Sequence, residues 1–139
     1  FASMMNEKAR AIGAVVTHFV NANGMPDEDH YSTARDMAKI AQYGLRNKEF
    51  RQIVSTRSKQ VHYERPSKKL PCTNTNHLLF TYDGAIGVKT GYTHAAQGCL
   101  AAAATRNGRT LIAVIMHAGW DSRFTEAAAL LDHGFEMKK

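Results

Sequence analysis

The sequence has no apolar run that approaches the length of about 20 residues required by a membrane-spanning helix, and no signal-peptide pattern is visible. It has only two cysteines, Cys72 and Cys99, and neither belongs to a Cys-x-x-Cys pair, so two free thiols are favoured over one disulfide. None of the histidines has a partner at i+4 or a cysteine at ligand spacing. We therefore predict no structural metal and no cofactor.

The charge is unbalanced toward basic residues, with a net charge of +6 at pH 7. Such a field attracts anionic partners without selecting among them. The basic residues are scattered, with their densest cluster at 65–69, and no zinc-finger or RNA-binding signature is present. Nucleic acid is therefore not expected as a partner. The chain of 139 residues, 44% of them hydrophobic, suits one globular domain with a core of its own.

The first part of the chain has the periodicity of helices. Apolar residues fall at helical spacing over 1–12 and predict a short amphipathic helix. A second helix is predicted to begin at Ser32 or Thr33, since either side chain can accept hydrogen bonds from the first-turn amides. Asp36 suits the positive start of this helix, and its apolar stripe extends to Leu45.

The middle of the chain has weaker signals. Residues 47–54 predict a further helical turn or two, and 55–63 alternate only weakly between polar and apolar. Two prolines and three basic residues within 65–71 indicate an exposed connection or edge. Residues 74–79 are polar and then apolar, which is typical of a loop that enters a short helix or strand.

The last part predicts three consecutive strands. The apolar runs at 97–105 and 111–116 flank Asn107-Gly108, the preferred two-residue hairpin turn, and 86–89 is a further strand just upstream. The mostly apolar sequences of the last two strands indicate that both faces of the sheet are covered.

A closing helix completes the expected fold. Asp121 or Ser122 would cap it, and Gly134 is predicted to end it. The order of helices, a strand meander and a helix predicts an α+β fold, with helices packed on an antiparallel sheet, in a single domain over 1–139.

One short stretch carries chemistry. Residues 85–88 are a short, mostly apolar run that delivers Lys89 and the hydroxyl of Thr90 to Gly91, so a strand edge would present a cation and a hydrogen-bond donor to a ligand. Lys-Thr-Gly is the third signature of the penicillin-binding and β-lactamase group. An ordinary strand end with a solvated lysine would have the same three residues. A phosphate-binding loop is disfavoured because the adjacent Gly-Lys pair is missing.

Further segments agree with that signature in chain order. Together they closely resemble the serine D-alanyl-D-alanine carboxypeptidases, which are low-molecular-weight penicillin-binding proteins that remove the terminal D-alanine from peptidoglycan stem peptides. The matching segments are 5–9, 17–19, 23–24, 30–38, 87–93 and 111–114. The resemblance implies the C-terminal portion of the β-lactamase/penicillin-binding transpeptidase-like fold. It also implies a serine acyl-enzyme mechanism and an extracytoplasmic location.

The resemblance assigns roles to five residues. Lys89 would supply a cationic field, Thr90 would donate to the substrate carboxylate, and Gly91 would let the substrate backbone lie along the strand. The backbone N–H of Tyr92 would contribute to the oxyanion site. Arg123 would reach the terminal carboxylate, although an exposed arginine in a first helical turn remains an equal alternative. The implied ligands are stem peptides ending in D-Ala-D-Ala and β-lactam antibiotics.

The sequence departs from the family at the nucleophile. None of its six serines has a lysine three residues later or an asparagine two residues later, so the Ser-x-x-Lys and Ser-x-Asn motifs are absent. We therefore expect no catalytic nucleophile in this chain, no activity of the chain alone, and a partner in the missing N-terminal part of the same protein. An apolar face would then be left exposed. The alternative is a non-catalytic peptidoglycan-binding or structural module.

Overall fold

The computed structural model describes residues 1–137. Within this range the chain forms five helices and five strands, and the predicted α+β class is confirmed. In chain order the elements are α1 Ala2–Ala11, α2 Ala34–Gly44, α3 Lys48–Ser55, β1 Ser58–Glu64, β2 Ser67–Thr73, α4 Leu78–Thr81, β3 Ala85–Thr93, β4 Gln97–Arg106, β5 Arg109–Ala118 and α5 Ser122–Glu136.

The predicted three-stranded meander is confirmed as an antiparallel sheet in the order β3-β4-β5. Asn107 and Gly108 connect β4 to β5 with φ angles of 50° and 73°. Positive φ at both central residues is what a type I′ hairpin turn requires, and it explains the choice of Asn-Gly. Because β3 pairs only with β4 in the described chain, its second edge is open.

Both faces of this sheet are covered, as the apolar strands predicted. On one face Leu100 and Ile115 pack with Phe124 and Leu131 of α5. On the other face Ala101 and Ala103 of β4 pack with Ala41 and Leu45 of the α2 region. Residues 101–104 of β4 are all buried alanines. A strand enclosed on both faces has no polar position, which accounts for the continuous apolar run.

The start of α2 is fixed by Thr33 rather than Ser32. The side chain of Thr33 accepts a hydrogen bond from the amide of Asp36 at 3.2 Å. The hydroxyl of Ser32 instead contacts that of Thr17 at 3.0 Å. The prediction that Ser32 or Thr33 caps α2 is therefore confirmed, and the capping residue is Thr33.

Asp36 ties the first loop to α2 through a buried carboxylate. It accepts hydrogen bonds from the amide of Val16 at 2.7 Å and the hydroxyl of Thr17 at 3.0 Å, and it pairs with Lys39 at 3.3 Å. Burial alone would raise the pKa of Asp36, but these bonds and the lysine charge outweigh it and lower the pKa from its ordinary value of 3.8.

This lowered pKa predicts an acid-sensitive contribution to stability. The ionised carboxylate of Asp36 stabilises the folded state above the unfolded pKa, and this contribution is lost as the pH falls through the lower folded pKa. We expect Asp36→Asn to lower the melting temperature near neutral pH and to reduce its fall in acid. Thermal unfolding measured from pH 7 downward checks this, with the exposed Asp121→Asn as control. An unchanged acid dependence in Asp36→Asn would contradict the assignment.

The segment 65–71 was predicted to be an exposed connection or edge, and the edge is confirmed. It is exposed and supplies most of β2, which pairs with β1 along its whole length in a separate two-stranded ribbon. Pro71 lies within β2, where a ribbon with two free edges tolerates a missing N–H. Gly134 does not end α5, which continues to Glu136. A Cβ at Gly134 would lie 2.8 Å from Leu111 Cδ1, so the glycine lets α5 pack closely on β5, and a larger residue would need the Leu111 side chain to shift.

Residues 1–137 contain no membrane-spanning helix, no metal-binding cluster and no disulfide. Among residues 1–137 no helix combines the length and apolarity needed to cross a membrane. Within the same range no group of three or more His, Cys, Asp or Glu side chains could hold a metal ion. Cys72 and Cys99 are both free thiols, as the sequence favoured.

Candidate functional site

The open edge of β3 is the centre of the candidate site. Hydrogen bonds to β4 occupy one edge of this strand over residues 85–93, and no strand of the described chain pairs with the other. An unpaired strand edge presents a row of N–H and C=O groups that can bind an extended peptide as an added strand. The edge is therefore suited to a peptide-like ligand.

The side chains of β3 divide between the two faces of the sheet. Thr90 and Tyr92 are two positions apart and share a face, where they lie opposite Leu100 and Gly98 of β4. Lys89 belongs to the opposite face at the same edge. The predicted cation and hydroxyl therefore flank the edge from two sides.

Lys89 keeps its charge close to the strand. The ammonium Nζ donates a hydrogen bond to the backbone carbonyl of Thr90, and the side chain is exposed. Among the ion pairs of residues 1–137 none involves Lys89. Its positive charge is therefore available to an anionic group beside β3.

Nothing in the packing requires a glycine at position 91. Its φ is not positive, and a Cβ there would meet only Cys99 Cβ at an ordinary 4.0 Å. The fold would accept a side chain at this position. A glycine that packing does not explain favours the close approach of another backbone to the strand.

Arg123 is buried at the start of α5, which overturns the alternative of an exposed first-turn arginine. Only 3% of the residue is exposed, and neither Nε nor Nη1 has a hydrogen-bond partner in the described structure. A Cβ on Gly98 would lie 3.2 Å from Nη1, so the guanidinium lies beside the face that holds Tyr92. A buried guanidinium with unpaired donors is costly, and an anion would satisfy it.

Trp120 connects Arg123 to β3, and sequence reasoning missed it. Its ring lies 4.5 Å from Cζ of Arg123 and 4.9 Å, edge-to-face, from the ring of Tyr92. The indole thus lies between the strand and the buried guanidinium. The lone tryptophan of the chain, close to a candidate arginine at the junction of a strand and a helix, was a signal that could have identified it.

Thr75 is a second residue that the sequence did not single out. Its hydroxyl oxygen lies 2.7 Å from that of Thr90. Position 75 was predicted only as part of a loop. The signal available was the polar Asn74-Thr75-Asn76 triplet ahead of α4, but no local rule connects it to β3.

The solved structures that resemble this fold are penicillin-binding DD-peptidase domains. The crystal structure of the Streptomyces K15 DD-transpeptidase superposes with a TM-score of 0.92 at 35% identity, covering 98% of this chain and 54% of that chain. A penicillin-binding protein homolog from Mycobacterium tuberculosis superposes with a TM-score of 0.90 at 33% identity, covering 99% of this chain and 54% of that chain.

The sequence comparisons identify the family. The family model described as D-alanyl-D-alanine carboxypeptidase (peptidase S11) matches residues 1–119, and the chain belongs to this family. The D-alanyl-D-alanine carboxypeptidase of Streptomyces sp. (strain K15) is 34% identical over 142 residues, which cover 99% of this chain and 49% of the relative. The enzyme DacF of Bacillus subtilis is 37% identical over 138 residues, covering 99% and 35%. The chain thus spans about half or less of the length of these relatives.

Proposed function

We propose that this chain forms the substrate-binding wall of a serine D-Ala-D-Ala carboxypeptidase. The parent protein would remove the terminal D-alanine from peptidoglycan stem peptides through an acyl-enzyme, and penicillin would acylate the same nucleophile. The observation that carries the proposal is the open edge of β3, where Lys89, Thr90 and Gly91 precede Tyr92. Tyr92 contacts Trp120, whose ring lies against the buried guanidinium of Arg123, two nitrogens of which have no hydrogen-bond partner. Peptidoglycan lies outside the cytoplasmic membrane, so the proposal implies that the parent protein acts in an extracytoplasmic location.

Each group has a chemical task in this proposal. The stem peptide would pair with the β3 edge, and Gly91 would let its backbone approach. The hydroxyl of Thr90 and the guanidinium of Arg123 would donate to the terminal carboxylate, a charge-assisted interaction. Lys89 would polarise the region of the nucleophile. The amide of Tyr92 would donate to the oxyanion of the tetrahedral intermediate, an interaction worth about 3–4 kcal/mol in such sites.

The nucleophile must come from elsewhere in the parent protein. The sequence contains neither Ser-x-x-Lys nor Ser-x-Asn, and a hydroxyl needs an adjacent base to attack an amide. The relatives are two or more times as long as the segment they share with this chain. We therefore propose that residues 1–139 are part of a catalytic domain and are inactive alone, and that a segment of the same protein supplies the nucleophile.

An intact-mass spectrum of the protein expressed from its natural gene, with and without penicillin, tests the proposal. We expect a mass well above 15.4 kDa and a further increase by one penicilloyl group. Penicillin whose β-lactam ring has been hydrolysed beforehand is the control and should add nothing. A mass near 15.4 kDa without an increment would contradict the proposal, and a non-catalytic peptidoglycan-binding module would then take its place.

A further inference from the structure

The contact between Thr75 and Thr90 determines what the hydroxyl of Thr90 can offer a ligand. The two oxygens are 2.7 Å apart, so one hydroxyl donates to the other. Each hydroxyl has one hydrogen and two lone pairs. If Thr90 donates to Thr75, only lone pairs face the ligand, and these repel a carboxylate. If Thr75 donates, the proton of Thr90 is free for the carboxylate.

We propose that Thr75 is a positioning residue that donates its hydrogen bond to Oγ1 of Thr90 and thereby commits the proton of Thr90 to the carboxylate of the bound peptide. The inference rests on the proposed function, since it assumes that Thr90 contacts that carboxylate. Accepting a hydrogen bond also polarises the Thr90 hydroxyl and makes it a better donor. Thr75 itself does not touch the ligand in this scheme.

The backbone around Thr75 is held by its two asparagine neighbours. Asn74 donates through Nδ2 to the carbonyl of Thr56 at 3.0 Å, and its Oδ1 accepts from the amide of Asn76 at 2.9 Å. Asn76 is 1% exposed, and its Oδ1 accepts from the amide of Leu78 at 3.2 Å. These hydrogen bonds join the backbone on either side of Thr75 to the end of α3 and to the start of α4. The side chain of Thr75 itself is exposed.

Because the Thr75 side chain is exposed, the core does not need it. Replacing its hydroxyl with a methyl group should leave the fold intact and change only the contact with Thr90. A second hydroxyl pair, Thr105 and Thr110, has an oxygen separation of 2.8 Å and joins directly opposed residues of β4 and β5. It lies at the other end of the sheet from Tyr92 and Gly98, which makes it a matched control.

The test measures ligand affinity in the protein expressed from its full gene. The probe is a D-Ala-D-Ala peptide in which a CH₂–S link replaces the scissile amide, and its partner probe has a C-terminal carboxamide in place of the carboxylate. Dissociation constants are measured for the wild type, Thr75→Val, Thr75→Ser, Thr90→Val and Thr110→Val. Amide NMR spectra of each variant verify the fold, and Thr75→Ala replaces Thr75→Val if the valine variant is misfolded.

We expect Thr75→Val to weaken binding of the carboxylate probe by about five- to tenfold and to leave the carboxamide probe within about twofold, since hydrogen bonds to charged groups are the stronger ones. Thr75→Ser should restore the wild-type preference, and Thr110→Val should not alter it. Equal weakening of both probes by Thr75→Val would assign Thr75 a merely structural role and overturn the inference.

Thr90→Val separates this inference from the proposed function. If Thr90→Val leaves the preference for carboxylate over carboxamide unchanged, the proposed carboxylate contact of Thr90 is wrong and the inference fails with it. If Thr90→Val removes the preference while Thr75→Val retains it, the proposed contact stands and only the positioning role of Thr75 is overturned.

Discussion

Lys89→Ala is expected to slow penicillin acylation of the parent protein by on the order of a hundredfold or more, the range found when a prepositioned group is removed from a site that stabilises transition-state charge. Lys89 is the cation of the β3 edge, and its ammonium is held at the carbonyl of Thr90. Under the proposed function, its removal would deprive the site of the field that favours both the bound carboxylate and the developing oxyanion. The second-order rate of labelling by a fluorescent penicillin measures the effect.

Lys68→Ala is the matched control for this prediction, because Lys68 is an exposed lysine of the β1–β2 ribbon. Penicillin should acylate the Lys68→Ala variant at the wild-type rate. Lys89→Arg retains the charge but replaces a compact ammonium with a planar fork, so we expect only partial recovery. If Lys89→Ala remains folded and penicillin acylates it at a rate within about threefold of the wild-type rate, the proposed role of Lys89 is wrong.

The parts of the fold that the sequence predicted are those whose signals are local. Asn107-Gly108 determined the β4–β5 hairpin because a two-residue turn with positive φ accepts few other residues. Thr33 could be proposed as a cap because its partner, the amide of Asp36, is three residues away. In both cases the atoms that decide the conformation lie within one turn of the chain.

The pairing of β1 with β2 was not predicted, because hydrophobic periodicity reports burial. Every residue of both strands is exposed, so the ribbon has no buried face to impose an alternating pattern. The end of α5 was misplaced for a different reason. Gly134 is a common helix terminator, but here it accommodates Leu111 of a strand distant in sequence. Tertiary packing therefore overrode the local preference.

The candidate site also contains residues that local sequence identifies and residues that only tertiary contacts identify. Lys89, Thr90 and Gly91 are contiguous, so a motif could identify them. Arg123 was proposed by resemblance, but its place beside Gly98 of β4 is created only by the folded sheet. The contact of Thr75 with Thr90 likewise joins a loop to a strand. Residues that act through others need the tertiary structure, because their chemistry is that of an ordinary threonine or tryptophan.

Leu131→Ala is expected to lower the free energy of unfolding by about 2–5 kcal/mol, the range for removing a buried leucine from a core. Leu131 is 1% exposed and lies in the cluster that joins α5 to Leu100 and Ile115 of the sheet. Its neighbour Leu130 is 51% exposed. Leu130→Ala is therefore a matched control, with an expected change within about 0.5 kcal/mol. Chemical denaturation of the two variants in the same parent protein measures both values.

The same pair of variants tests whether the packing of α5 supports the candidate site. Arg123 lies in the first turn of α5, so a helix that packs less firmly on the sheet holds the guanidinium less firmly beside Gly98. Leu131→Ala should then weaken binding of the carboxylate probe more than binding of the carboxamide probe, while Leu130→Ala should weaken neither. Similar destabilisation by both variants would contradict the assignment of Leu131 to the core, because only one of the two leucines is buried there.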